Sequence, residues 1–164
     1  MKRLLAAGLA AFCPVALGVQ SVSAETGRGT HDVDLWRFGA QWAEHPHWLE
    51  QSRWTLYWDL TYGGWQGNAG NVHDVGLTPV FRYAQAPRGP YLEGAIGLHL
   101  LTDEHISRRL DFSTHFQFGD HIGAGYRLER YDFSVRLQHL SNGGMRNPNP
   151  GINFLVVRVQ YYLR

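Results

Sequence analysis

Residues 54–65 read Trp-Thr-Leu-Tyr-Trp-Asp-Leu-Thr-Tyr-Gly-Gly-Trp. Every second position (Trp54, Leu56, Trp58, Leu60, Tyr62) is apolar or aromatic, and Thr55, Tyr57, Asp59, Thr61 and Gly63 fall between them. A period of two belongs to an extended strand, whose successive side chains point to opposite faces. The pattern recurs. In Val75–Tyr83 the apolar set is Val75, Leu77, Pro79, Phe81 and Tyr83, against Gly76, Thr78, Val80 and Arg82. In Tyr91–Leu101, Leu92, Ile96, Leu98 and Leu100 stand against Tyr91, Glu93, Gly97 and His99. A longer run, Phe112–Leu128, sets Phe112, Thr114, Phe116, Phe118, Ile122, Ala124, Tyr126 and Leu128 against Ser113, His115, Gln117, His121, Gly123 and Arg127. Asp120 interrupts that apolar face, which predicts a bulge or a local distortion there.

Glycine- and proline-rich turn signals separate the runs: Gly63-Gly64 with Gly67-Asn68-Ala69-Gly70, then Pro87-Arg88-Gly89-Pro90, then Glu129-Arg130. Each run has about the 9–11 residues that a tilted strand needs to cross a bilayer. A soluble sandwich or a lipocalin-like barrel would alternate in the same way. Two features favour the membrane. One polar set repeatedly carries Arg, His, Glu, Gln and Asp, as a lumen does, and Trp and Tyr bracket the apolar set, as an interfacial girdle does.

Seven strands follow from the pattern: Leu35–Trp42, Trp54–Trp65, Val72–Tyr83, Tyr91–Leu101, Phe112–Leu128, Tyr131–Ser141 and Ile152–Leu163. Bacterial single-chain barrels have an even number, and Val19–Arg28 supplies the eighth. The expected fold is all-β, an eight-stranded antiparallel transmembrane β-barrel of the outer membrane, formed by residues 19–164 as a single domain.

Composition agrees. The chain of 164 residues has room for one domain. Its 15 basic and 14 acidic residues leave a net charge of +1, with no Lys/Arg cluster of the kind a nucleic-acid binder presents. Charged residues are 18%, below the roughly 25% of a typical soluble domain. Beyond the N-terminus no stretch approaches the ~20 apolar residues of a spanning helix. Met1-Lys2-Arg3 followed by the apolar run Leu4–Leu17 reads as a secretory signal peptide, residues 1–18. Cleavage after Gly18 or after Ala24 fits the local residues, and a strand at Val19–Arg28 selects Gly18. The single cysteine, Cys13, lies inside this leader, and Phe12 before it speaks against lipidation. The mature chain therefore has neither a thiol nucleophile nor a cysteine metal site.

Chemistry concentrates in residues 135–154, Val-Arg-Leu-Gln-His-Leu-Ser-Asn-Gly-Gly-Met-Arg-Asn-Pro-Asn-Pro-Gly-Ile-Asn-Phe. By parity His139 and Ser141 share a face with Tyr131, Phe133, Val135 and Leu137, the face assigned to lipid. Polar side chains are expensive there. A histidine beside a serine is the basic unit of hydroxyl activation, the imidazole taking the proton as the oxygen attacks an acyl carbonyl. The alternative is a strand rim, where polarity is ordinary. Asn142-Gly143-Gly144 adds an amide and backbone N–H groups suited to an oxyanion, and Asn147-Pro-Asn-Pro-Gly is a constrained turn into the last strand.

His139-Leu-Ser-Asn-Gly-Gly and Asn147-Pro-Asn-Pro-Gly-Ile resemble the PagL-type lipid A 3-O-deacylases of the Gram-negative outer membrane. Looser similarity covers Tyr57-Trp-Asp, Pro79-Val-Phe, Leu92-Glu-Gly-Ala-Ile-Gly and Ile122-Gly-Ala-Gly. The resemblance implies an eight-stranded barrel with a Ser–His–acid set on its outer surface, hydrolysing the 3-O-linked acyl chain of lipid A. Ser141 then matches the nucleophile and His139 the general base. Asn142, Gly144 and Asn149 match the oxyanion region. Where the family's best-known representative carries a glutamate, fourteen residues after the histidine, this chain has Asn153, whose amide oxygen orients an imidazole but adds no charge. The implied partners are lipid A in lipopolysaccharide and outer-membrane lipid, with a homodimer left open. No cofactor and no metal are expected.

Other candidates are poorer. His45-Pro-His47 has no cysteine or clustered carboxylate at ligand spacing, so a solvated loop is expected. Glu93 and Asp59 share the inner face with Arg82, Arg127 and Arg136, as interior salt bridges would. Two further functions stay open: a non-enzymatic surface barrel, and a barrel acyltransferase that passes the acyl chain to another acceptor.

Overall fold

A computed structural model describes residues 18–67, 70–107 and 110–163. The expected leader, with Cys13, lies outside the described residues apart from Gly18. Ten strands form: β1 (Ser21–Gly29), β2 (Asp34–Glu44), β3 (Trp54–Gly67), β4 (Gly70–Ala84), β5 (Gly89–Leu101), β6 (His105–Ser107), β7 (Leu110–Asp111), β8 (Phe116–Arg127), β9 (Tyr131–Ser141) and β10 (Ile152–Tyr162). Eight of them close into an antiparallel barrel in the order β1-β10-β9-β8-β5-β4-β3-β2, while β6 and β7 make a separate small hairpin. Closure rules out the sandwich. The eighth strand expected near the N-terminus is β1, and it pairs on both sides. Ala24 at its middle lies opposite Val159 of β10 and Phe38 of β2.

Two expectations are corrected. The strand predicted over Phe112–Leu128 begins only at Phe116. Ser113 takes a left-handed conformation (φ 59°) and its hydroxyl donates to the Pro148 carbonyl at 2.8 Å, so the chain turns there. Phe112 thereby swings inward and is fully buried. The bulge predicted at Asp120 is absent: the register runs evenly through Ile96↔Asp120 and Asp120↔His139. Asp120 interrupts the apolar face chemically, without breaking the ladder.

The alternation sorts polarity inward. Glu25, Arg37, Asp59, Arg82, Glu93, Arg136 and Arg158 are buried inside, whereas Phe38, Leu92, Ile96, Ile122, Leu137 and Leu155 are more than half exposed on the exterior. Aromatic pairs mark the rims, Trp54–Tyr83 and Tyr131–Tyr161 at one end and Trp36–Tyr62 at the other. A polar interior within an apolar, aromatic-girdled wall is the inverse of a lipocalin-like barrel and suits hydrocarbon. At mid-height Arg136 ties three strands together, contacting Glu93 at 2.7 Å, Glu25 at 2.9 Å and Asp59 at 3.4 Å. Arg158 approaches the same Glu25 and Asp59 at 3.1 and 3.3 Å. Such sharing matters because a buried charge deprived of its partner costs about 3–5 kcal/mol.

The two ends differ. One carries the chain termini, the turns 85–88 and 128–130 and the loop 45–53. Its mouth opens into a cavity of about 760 Å³ lined by Gln41, Tyr57, Arg82, Arg127 and Gln160 among others. The other end carries the 30–33 turn, the β6–β7 hairpin and the 142–151 loop, and it is filled by an apolar cluster around Trp65. There the Trp65 ring meets Phe154 at 5.2 Å and Phe112 at 6.0 Å.

Candidate active site

Strands β8, β9 and β10 are neighbours, and their register sets three outward side chains in one row: Asp120 opposite His139, and His139 opposite Asn153. Ser141, two residues further along β9, lies opposite Phe118. His139 and Ser141 are half-buried and Asn153 is exposed, all facing away from the lumen, as parity required. The imidazole Nδ1 lies 2.8 Å from Oδ1 of Asn153. Because an amide oxygen only accepts, this contact places the ring proton on Nδ1 and leaves Nε2 as the basic nitrogen. Asn153 is itself held, its backbone N–H donating to the Thr30 hydroxyl at 3.3 Å.

Ser141 Oγ makes no hydrogen bond among the described residues. Residues i and i+2 of a strand are separated by roughly 7 Å along the chain, so the serine and histidine meet only by turning both side chains toward each other. The ring's Cε1–Nε2 edge rests on Gly151. A Cβ at that residue would fall 2.7 Å from Cε1 and 3.3 Å from Nε2, and Gly151 has φ +63°. Both its conformation and its missing side chain are therefore required.

The loop after Ser141 is built on Asn142, which is fully buried. Its Nδ2 donates to the carbonyls of Phe112 at 2.9 Å and Arg146 at 2.8 Å, and its Oδ1 accepts the Gly144 N–H at 2.9 Å. Its own N–H donates to Oδ1 of Asn149 at 3.1 Å. The three residues assigned to the oxyanion region thus come together beside Ser141, and in this resting arrangement they hold the turn. The N–H of Gly143 has no acceptor among the described residues. Gly143 and Gly144 both take left-handed φ, +65° and +79°, a conformation that glycine adopts without the cost a side chain would add.

Asp120, Thr30 and Gly151 were not singled out from the sequence as members of this site. Parity already placed Asp120 outward, and a carboxylate on an apolar face is a signal in its own right. The contacts of Thr30 and Gly151 arise from loop folding and have no periodic signature. For metal binding, the closest grouping is Glu104, His105 and Asp111 at the β6–β7 hairpin, with one ligand atom each within 4.8 Å of the others. His105 already pairs there with Asp111 at 3.2 Å. His47 of the 45–53 loop pairs with Glu50 instead.

A family model described as lipid A 3-O-deacylase (PagL) matches residues 35–162. The lipid A deacylase PagL of Pseudomonas aeruginosa is 32% identical over 163 residues, 93% of this chain and 94% of that protein. The lipid A deacylase PagL of Bordetella bronchiseptica is 30% identical over 130 residues, 77% of this chain and 69% of its own length. Among solved structures, the crystal structure of the outer membrane enzyme PagL superposes with a TM-score of 0.78 at 28% identity, covering 87% of this chain and 99% of that one.

Proposed function

This chain belongs to the PagL family of lipid A 3-O-deacylases of the outer membrane, and from that premise we propose that it works as a serine esterase whose site lies on the outer wall of the barrel. The observation that carries this reading is the His139–Asn153 contact at 2.8 Å, two residues along β9 from Ser141, on an exterior face that is apolar at Val135 and Leu137 below it. An imidazole with a fixed tautomer, beside a hydroxyl, at lipid level has no structural task that a leucine would not do better.

In the proposed reaction Ser141 Oγ attacks the carbonyl carbon of the 3-O-acyl ester while Nε2 of His139 takes its proton. The tetrahedral oxyanion is met by N–H groups of the 142–144 turn, with Gly143 free and Gly144 exchanging Asn142 Oδ1 for the substrate oxygen. Asn142 and Asn149 hold that turn in shape. Collapse breaks the ester bond, and His139 returns the proton to the sugar 3-oxygen. Water then attacks the acyl-serine, with His139 again as the base, and the 3-hydroxy fatty acid leaves. Asn153 fixes the ring without adding charge. The carboxylate on the ring's other flank is Asp120.

The two longest connections between barrel strands, 102–115 and 142–151, lie at the end opposite the termini, where outer-membrane barrels usually carry their extracellular loops. That arrangement puts Ser141 near the outer-leaflet headgroups. Residues 1–18 serve as the export signal. Cleavage at Gly18 is favoured because a cut after Ala24 would remove the first half of β1.

The test is mass spectrometry of lipid A from cells expressing the chain. Loss of one 3-hydroxyacyl mass, abolished by Ser141→Ala and by His139→Asn, is the expected result. A triad member typically contributes several orders of magnitude in rate. Gain of an acyl mass would mean transfer instead of hydrolysis, and Ser141→Ala with near-normal turnover would remove the catalytic assignment.

A further inference from the structure

We infer that Arg146 is a specificity residue that binds the phosphate on carbon 1 of the substrate glucosamine, the same sugar whose 3-oxygen bears the ester. The inference rests on the deacylase reading above and adds a contact to it. Four other exposed arginines of the described residues are satisfied by neighbouring side chains. Arg28 bonds Asp32 and Asp34, each at 2.8 Å, and Arg88 meets Glu129 at 3.1 Å. Arg53 and Arg130 donate to the hydroxyls of Tyr83 and Tyr161 at 3.4 and 3.2 Å. Arg146 is exposed, and its guanidinium has no partner among the described residues.

Its backbone, by contrast, is fixed. The Arg146 carbonyl accepts from Nδ2 of the buried Asn142 at 2.8 Å, and Met145 N–H donates to the Asn142 carbonyl at 3.2 Å. Asn142 directly follows the nucleophile. The turn therefore ties the backbone of an unpaired arginine to the residue that follows Ser141, beyond the end of β9. Below it Leu137 and Val135 face lipid. That position suits a headgroup anion. Carbons 1 and 3 belong to one ring, so an ester held at Ser141 keeps the 1-phosphate within about one sugar's width of the nucleophile, whereas the 4′-phosphate is a second sugar away. A guanidinium offers that phosphate two parallel N–H donors. The contact is equal in ground and transition states, so it lowers KM and leaves kcat alone.

The experiment uses the purified full-length protein in detergent micelles with three lipid A forms: bisphosphorylated, lacking the 1-phosphate, and lacking the 4′-phosphate. Arg146→Gln should raise KM for the two forms that carry the 1-phosphate by about tenfold, and leave the third unchanged. Arg146→Lys, which keeps the charge but loses the fork, should fall between. Equal loss on all three forms, or no loss on any, overturns the inference, and selectivity for the 4′-phosphate reassigns the anion and overturns it as well. Equilibrium binding of the same lipids to Ser141→Ala, with and without Arg146→Gln, reads the phosphate preference without turnover. If the wild type releases no fatty acid, the deacylase reading fails on its own, and the binding series still decides whether Arg146 selects the 1-phosphate.

Discussion

His139 and Asn153 share a cross-strand pair on the barrel exterior, Nδ1 to Oδ1 at 2.8 Å, in which an amide oxygen holds the ring without bringing a charge to it. In the proposed mechanism such a contact orients the base and leaves the imidazolium without charge stabilisation. The two contributions can be separated by substitution at a single residue.

Asn153→Ala frees the ring and should lower kcat, with the barrel still folded. Asn153→Glu supplies a carboxylate and should hold or raise kcat, the more so where surrounding lipid keeps the dielectric low. The same low dielectric favours a protonated glutamate. Raising pH ionises it, so the Glu variant should gain on the wild type as pH increases. Deacylation rates of the three proteins across a pH series check this, and an unchanged rate for Asn153→Ala at every pH would remove Asn153 from the site.

Gly151→Ala adds a single methyl carbon 2.7 Å from Cε1 of His139, in a backbone conformation that already disfavours a side chain. The ring must leave its place against Asn153. Turnover should fall by at least about tenfold, since misplacing a catalytic group by about an ångström costs as much or more. Heat-modifiable gel mobility should show the barrel intact. Activity equal to wild type would mean that the ring position seen here is not the working one.

Arg136→Ala should destabilise the barrel by about 3–5 kcal/mol, because Glu25, Asp59 and Glu93 lose the cation they share. Arg130→Ala, at an exposed turn, should change stability by no more than about 0.5 kcal/mol. Urea unfolding in lipid vesicles provides the comparison. Similar midpoints for the two variants would count against a structural role for the interior network.

N-terminal sequencing of the mature protein should begin near Val19. Ser21, Val22, Ser23 and Ala24 all pair with both β2 and β10, so a chain starting at Glu25 would lack the terminus-side part of the ladder that closes the barrel.

Strand parity was legible in the sequence because a closed wall between lipid and a polar lumen enforces it residue by residue. Trp54, Leu56 and Trp58 could be sorted from Thr55, Tyr57 and Asp59 with no knowledge of neighbours, and the same parity turned His139 and Ser141 outward. It failed at Phe112, where a left-handed Ser113 and a bond to the Pro148 carbonyl end the periodicity. Asp120 shows a different limit. Its break in the apolar face was visible but was attributed to backbone irregularity, because the pairing partner that gives it meaning, His139, is 19 residues away. The loop contacts of Asn142, Gly151 and Thr30 depend on segments folding over one another. Local pattern carries no trace of that, although the Asn-Gly-Gly and Pro-Asn-Pro-Gly signals did mark where it occurs.

The apolar cluster around Trp65 has a consequence for the cell that carries this protein. Among the described residues it fills one end of the barrel, and the ion pairs of Arg136 and Arg158 cross the lumen at mid-height beneath it. The cavity at the opposite mouth therefore leads first to salt bridges and then to aromatic packing. A lumen filled in this way serves as a rigid backing for the outer wall, and the cell gains an outward-facing surface rather than a conduit.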